Sequence, residues 1–249
     1  MNQSFLFELC ADSLEAARAA QAGGADRMEL CEELAISGVT PSEALLREVL
    51  SAVSLPVHVL IRPRGGDFFY SAEEFHRMTL QIEQAKTAGA AGVALGVLLE
   101  DGRVDVERTR ELVELARPLH VTFHRAFDET SRADYGMDEA LEDVIDTGAD
   151  SLLTSGGAAN VLIGAEQIGR LQAQAGDRLE VMAGGGLKLD NLAEVVRRSG
   201  VTCLHGSLSR MRSAAACKPA NQAELEAGLA EDLREAIRIL QQECLEPAG

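Results

Sequence analysis

The sequence predicts an α/β chain in which eight parallel strands, each followed by a helix, close into one (β/α)8 barrel. Three observations predict it. Short β-rich apolar runs alternate with longer stretches of helical period, eight times along the chain. Several helix-to-strand joints repeat one phrase: Gly23-Gly24-Ala25-Asp26, Gly89-Ala90-Ala91, Gly148-Ala149-Asp150 and Ser199-Gly200, where glycine suits the left-handed position after a helix. The length of 249 residues suits a barrel built as a single domain over 1–249. An open doubly wound sheet is the alternative. It usually has fewer units and a G-x-G-x-x-G fingerprint after its first strand, and that fingerprint is absent here.

The first strand, over 5–10, alternates. Phe5, Phe7 and Leu9 should meet the helices, while Leu6, Glu8 and Cys10 point into the barrel. A helix follows over 13–22. Strand two, over 27–31, repeats the tripeptide Glu-Leu-Cys, with Met28 and Leu30 outward and Glu29 and Cys31 inward. Adjacent strands then put two carboxylates and two thiols on one side of the lumen. After a helix over 42–53, strand three (57–62) turns His58, Leu60 and Arg62 inward. A helix over 72–88, a strand over 92–96 and a helix over 106–116 lead to strand five, 120–124. Thr122 and His124 face inward there, against Val121 and Phe123 outward. The last strands lie over 151–154, 179–183 and 202–205. Helices precede them over 137–147, 161–174 and 189–198, and a final helix spans about 223–242. Two connections, 63–71 and 125–136, are long and lie on the strand-C-terminal side, where barrel loops build active sites and lids.

Composition excludes some functions. A formal net charge of −17 argues against nucleic acid as the main partner and against anionic membrane surfaces. The first ten residues are too short for a signal peptide, and no apolar run approaches the roughly 20 residues of a membrane helix. Cys10, Cys31, Cys203, Cys217 and Cys244 are scattered, without CxxC, which fits a reducing cytoplasm better than a disulfide framework. The acidic helical exterior leaves room for a homodimer. The stretch 211–222 gives no reading.

Glu8, Glu29, Arg62 and His124 converge on the upper lumen. Buried charge is costly unless paired. Either Arg62 neutralises both carboxylates as a structural network, or the four supply a base, an anion anchor and a proton shuttle. Glycine-rich turns end the last three strands: Ser155-Gly156-Gly157, Gly184-Gly185-Gly186 and Gly206-Ser207, the last beside His205. Barrels often hold a phosphate on such bare backbone, so these loops are candidate anion sites. Cys10 and Cys31 are the one thiol pair with a geometric reason to be close, and Cu(I) prefers such soft ligands. A hard divalent ion on Glu8, Glu29, His124 and Asp128 is the other metal reading.

These motifs resemble the CutC family of copper homeostasis proteins. The phrases that carry the resemblance are Phe7-Glu8-Leu9-Cys10-Ala11, Gly24 to Cys31, Pro56 to Phe68 with its Ile61-Arg62-Pro63-Arg64-Gly65-Gly66-Asp67-Phe68, and Asp101 to Asp105. Further on come Thr122-Phe123-His124-Arg125-Ala126-Phe127-Asp128, Leu153-Thr154-Ser155-Gly156, Met182 to Gly186, Asn191, and His205-Gly206-Ser207. The resemblance implies a TIM barrel, a cytoplasmic setting and a role in copper tolerance. It adds Arg125 and Asp128 to the site and carries Cys10 and Cys31 as the copper candidates. The sequence departs from the family at Leu34-Ala35-Ile36-Ser37-Gly38, where a more glycine-rich turn is usual. Two readings stay open: a Cu(I)-binding protein, or an acid–base enzyme on a small anionic or phosphorylated metabolite.

Overall fold

The computed structural model describes residues 4–132, 135–207 and 222–244. Eight parallel strands close into a barrel in chain order: β1 (Leu6–Ala11), β2 (Arg27–Leu30), β3 (Val57–Leu60), β4 (Gly92–Leu95), β5 (His120–Phe123), β6 (Ser151–Thr154), β7 (Glu180–Ala183) and β8 (Cys203–Gly206). The helices are α1 (Leu14–Gly23), α2 (Glu43–Ala52), α3 (Ala72–Ala88), α4 (Val106–Ala116), α5 (Ala126–Glu129), α6 (Met137–Asp146), α7 (Ala165–Ala175), α8 (Leu192–Ser199) and α9 (Gln222–Glu243).

Alternation along the strands builds two apolar regions. Phe7, Leu9, Met28, Leu30, Val121 and Phe123 face the helices and join the large outer core. Cys10, Cys31, Leu60 and Ala94 form a separate small cluster inside the barrel. The expected parity therefore holds in strands one, two, three and five.

The repeated joint phrase fixes the lower end of the barrel. Asp26 accepts the Phe7 N–H at 2.7 Å. Asp150 accepts the Val121 N–H at 2.8 Å and the Arg117 guanidinium at 2.7 Å. In both cases the aspartate after a helix satisfies a backbone donor at the start of the preceding strand, which would otherwise be an orphan. Helices α1 to α4 start on side-chain caps from Ser13, Ser42, Ser71 and Asp105. Ser71 and Glu74 form a reciprocal capping box at the head of α3.

Three elements differ from the sequence pattern. Helix α7 begins at Ala165 rather than near 161: Asn160 Oδ1 accepts the Ile163 N–H at 3.1 Å and caps a separate turn over 161–164 ahead of the helix. Helix α8 begins at Leu192 rather than near 189: Asn191 Oδ1 reaches back to accept the Lys188 N–H at 2.8 Å and closes a turn before it. Short helix α5 lies within the expected long loop 125–136. The stretch 211–222 falls, except for Gln222, outside the described residues, as does Cys217.

Candidate functional site

The strand register sets the polar lumen. Glu8 lies level with Arg27 on one side and His205 on the other. Glu29 lies level with Cys10 and His58. The two carboxylates have different surroundings. Glu8 accepts from Arg27 Nε at 2.5 Å, is bonded to His205 Nδ1 at 2.8 Å and stands 3.5 Å from His58 Nδ1. Burial pushes its carboxyl up, but His205, Arg27 and His58 together outweigh burial and hold it at about 2. The same pairing raises His205, against its own burial.

Glu29 makes no ion pair with a cation among the described residues, although His205 lies within 4.8 Å of it. It accepts from the Cys10 thiol, 3.8 Å from Oε1. Burial pushes its carboxyl up to about 7; the Glu8 charge adds to the push, and His205 opposes it without outweighing it. Cys10 and Cys31 bring their sulfurs within 3.8 Å. Contact with Cys31, then burial, then the nearby carboxylates raise the Cys10 thiol well above its ordinary range. Among the described residues, Cys10, Glu29 and His205 offer three ligand atoms that all lie within 4.8 Å of one another.

Arg62 does not pair with either carboxylate, contrary to the structural network the sequence allowed. It donates to the carbonyls of Ile36 at 3.0 Å, Gly38 at 2.8 Å and Gly66 at 2.8 Å. Its guanidinium lies over the Phe68 ring, 4.9 Å from the centroid. The partner of Glu8 is Arg27, which shares the parity of Glu29 and Cys31. Parity alone could have found it. His58 also belongs to this lower cluster, stacked on His120.

His124 packs against the other side of the Phe68 neighbourhood, with ring centroids 5.0 Å apart. Gly96 has no side chain, and a Cβ there would come within 2.8 Å of His124 Nδ1. Nδ1 accepts the Ala126 N–H at 3.3 Å, which leaves the ring proton on Nε2. That Nε2 is buried and has no partner. Burial, with the nearby Arg62 charge, lowers this imidazole to about 3, so it is neutral at physiological pH.

Asp128 is not free for acid–base work. Its carboxylate takes donors from Thr154 Oγ1 at 2.6 Å, Ser155 N at 3.0 Å, Ser155 Oγ at 2.9 Å, Gly157 N at 3.1 Å and Arg125 Nε at 2.8 Å. The Ser155-Gly156-Gly157 turn thus does bind an anion, but the anion is the chain's own aspartate. Gly156 N–H goes to Thr154 Oγ1 at 2.8 Å. Asp128 in turn orients Arg125, which crosses the bare face of Gly185: a Cβ there would lie 2.9 Å from Arg125 Cζ.

One cavity of about 170 Å³ opens at the strand-C-terminal end. Cys10, Glu29 and His205 reach it from the lumen, and Arg62, Phe68, His124 and Arg125 from the rim. Gly185, Gly186, Gly206 and Ser207 also line it, together with the apolar Leu34, Leu60, Leu153 and Leu187. Cys31, Glu8, Asp128, Ser155, Gly156 and Gly157 do not line it. The departing loop shows its cost in Glu33 and Ser37, two non-glycine residues at φ 55 and φ 71.

Residues 5–210 match the family model described as the CutC family. The chain belongs to the CutC family. The family protein CutC of Chromobacterium violaceum is 47% identical over 202 residues, covering 81% of this chain and 80% of that one. The human copper homeostasis protein cutC homolog is 45% identical over 208 residues, covering 84% and 75%. The solved structure of CutC from Streptococcus agalactiae superposes with a TM-score of 0.75 at 29% identity, over 81% of this chain and 98% of that one. A thiamine phosphate pyrophosphorylase from Pyrococcus furiosus matches over 98% of both chains with a TM-score of 0.61. At 17% identity it shares the fold alone. No described helix is long and apolar enough to cross a membrane.

Proposed function

We propose that this CutC-family chain takes Cu(I) as cargo in the reducing cytoplasm, on the thiols of Cys10 and Cys31 at the upper lumen. The observation that carries the reading is the 3.8 Å approach of the two sulfurs, with Glu29 and His205 beside Cys10. Soft sulfur donors favour Cu(I) over harder ions. The human relative's name, a copper homeostasis protein, points the same way. The raised Cys10 thiol must lose its proton when metal binds, so affinity should rise with pH.

The test is a Cu(I) titration of the reduced chain against a competing chelator, alongside Cys10→Ser/Cys31→Ser. One tight equivalent that disappears in the double variant supports the reading. Binding that survives the double substitution defeats it.

A second reading is favoured by one specific arrangement. Glu29 sits at the base of a cavity whose rim carries Arg62 and Arg125. A carboxyl facing two guanidiniums across a small cavity is the layout of an acid–base enzyme on a small anionic metabolite. In that reading Glu29 moves the proton, Arg62 and Arg125 hold the anion, and Asp128 positions Arg125. Glu29→Gln should then abolish turnover of the substrate while leaving the fold intact.

A further inference from the structure

We propose that the upper cavity seats a small oxyanion, a carboxylate or phosphate ester of roughly six to ten non-hydrogen atoms, on Arg62, Arg125, His124 and the Gly185–Gly186 backbone. This rests on the second reading only in that the cavity takes an anion. It does not depend on Glu29 moving a proton.

The charge on Arg62 is the first argument. The residue is 4% exposed. Its three hydrogen bonds all end on backbone carbonyls, and among the described residues no carboxylate lies within ion-pair distance. Carbonyls replace part of its hydration but do not cancel a unit charge. A buried cation left this way is expensive unless a ligand completes it. Arg27, buried nearby, shows the alternative: it has Glu8 at 2.5 Å. Arg62 Nε has no acceptor at hydrogen-bond geometry among the described residues, with the buried Tyr70 hydroxyl beside the side chain.

His124 is the second argument, and it is independent of the first. The side chain is 4% exposed, lines the cavity, and carries an Nε2–H that meets no acceptor. Leaving such a donor unpaired costs the full loss of its water. A cationic ligand would worsen both deficits. A neutral apolar one would leave both unmet. An oxyanion offsets the Arg62 charge across the cavity, and it reaches the two closed-off N–H donors once these side chains turn towards it.

The opposite wall agrees. Gly185 and Gly186 hold φ of 98° and 81°, and the wall carries no side chain at either position. Arg125 lies across Gly185 and is fixed by Asp128 and by Ser155 Oγ at 3.2 Å. A cavity of 150 Å³ is known to hold benzene, so about 170 Å³ admits a short metabolite and excludes a nucleotide. The ligand's anionic head meets the arginines, and its other end meets Glu29 and Cys10.

The experiment is calorimetric titration of the full chain, reduced and metal-free, with inorganic phosphate and separately with glycolate. Wild-type should bind at least one below roughly 10 mM, and the preferred probe separates phosphate from carboxylate recognition. Arg125→Gln should weaken it about tenfold or more. Arg178→Gln, which breaks an outer pair with Glu142, should change nothing. A wild-type that binds neither probe, or an Arg125→Gln that binds like wild-type, overturns the proposal. If Arg125→Gln fails to fold, wild-type itself decides. The bound probe should slow phenylglyoxal modification of Arg125 read by mass spectrometry, and an unchanged rate overturns the proposal. Glu29→Gln should keep probe binding whether or not Glu29 moves a proton, so failure of the acid–base reading leaves these titrations unchanged, whereas a wrong anion seat shows in the wild-type.

Discussion

Glu8 and Glu29 stand on adjacent strands, both point into the lumen, and both are buried, yet they end in opposite states. Glu8 is enclosed by Arg27, His205 and His58 and held at about 2. Glu29 has a thiol for a neighbour and is pushed up to about 7. The arginines divide the same way. Arg27 is neutralised inside the protein, and Arg62 is not. In the lower lumen the charges of Glu8 and Arg27 cancel, although His58 Nδ1 there has no hydrogen-bond partner among the described residues. The upper lumen keeps, among the described residues, a buried guanidinium without a carboxylate and a carboxyl near neutrality. Burial alone does not mark a site; an unbalanced charge within reach of a cavity does.

The comparison breaks most easily at Glu8. Glu8→Gln leaves buried Arg27 with only the half-exposed Glu180, 3.6 Å away, and urea unfolding should show a loss of about 2–4 kcal/mol. A loss below 1 kcal/mol would dissolve the distinction between the two layers.

The next effect is a difference in sign with pH. The folded pKa of Glu8 lies below its ordinary 4.5, so its stabilisation is present above pH 4.5 and is lost as pH falls towards 2. The folded pKa of Glu29 lies above 4.5, so its contribution is favourable at low pH and is lost as pH rises from 4.5 to about 7. At about 1.4 kcal/mol per pKa unit, Glu29→Gln should gain up to about 3 kcal/mol over wild-type above pH 7 and little below pH 4.5. His58 and His124, lowered to about 4 and 3, lose stability as pH falls. The measurement is therefore the difference between variant and wild-type stability across pH, in which these histidines cancel. A flat difference would mean that burial does not raise Glu29, and a variant that loses stability above pH 4.5 would place Glu29 in the same class as Glu8.

Smaller effects test the rim. Gly185→Ala puts a methyl against Arg125 at a φ of 98°, and should cost about 1–2 kcal/mol in thermal unfolding and weaken anion binding together. A stability loss with unchanged binding would separate Arg125 from the cavity. Smallest of all, Ser37→Gly relieves a left-handed non-glycine residue and should gain at most about 1 kcal/mol. No gain would mean that Arg62's hold on the Ile36 and Gly38 carbonyls already absorbs the strain.

Much of this was legible in the residues. Period and parity gave eight units and the inward set Glu8, Cys10, Glu29, Cys31, Arg62 and His124, because strand alternation is a local property. Helices α7 and α8 start later than the periodicity suggests, since Asn160 and Asn191 each hold a separate turn ahead of the helix that apolar spacing does not register. Pairing was also not legible. Nothing in the chain order joins Glu8 to His205, 197 positions away, or Asp128 to the 154–157 turn.

By itself, the sequence determined the barrel, the faces of its strands, the family and which ionisable groups enter the lumen. These follow from side-chain alternation and from motifs read along a few consecutive residues. The tertiary structure alone decided which charge cancels which. Barrel closure sets β8 beside β1 and gives Glu8 its histidine, while the folding of the rim loops turns three carbonyls onto Arg62 and supplies Asp128 with its donors. Electrostatic balance depends on distances between segments far apart in the chain, and those distances exist only once the barrel has closed.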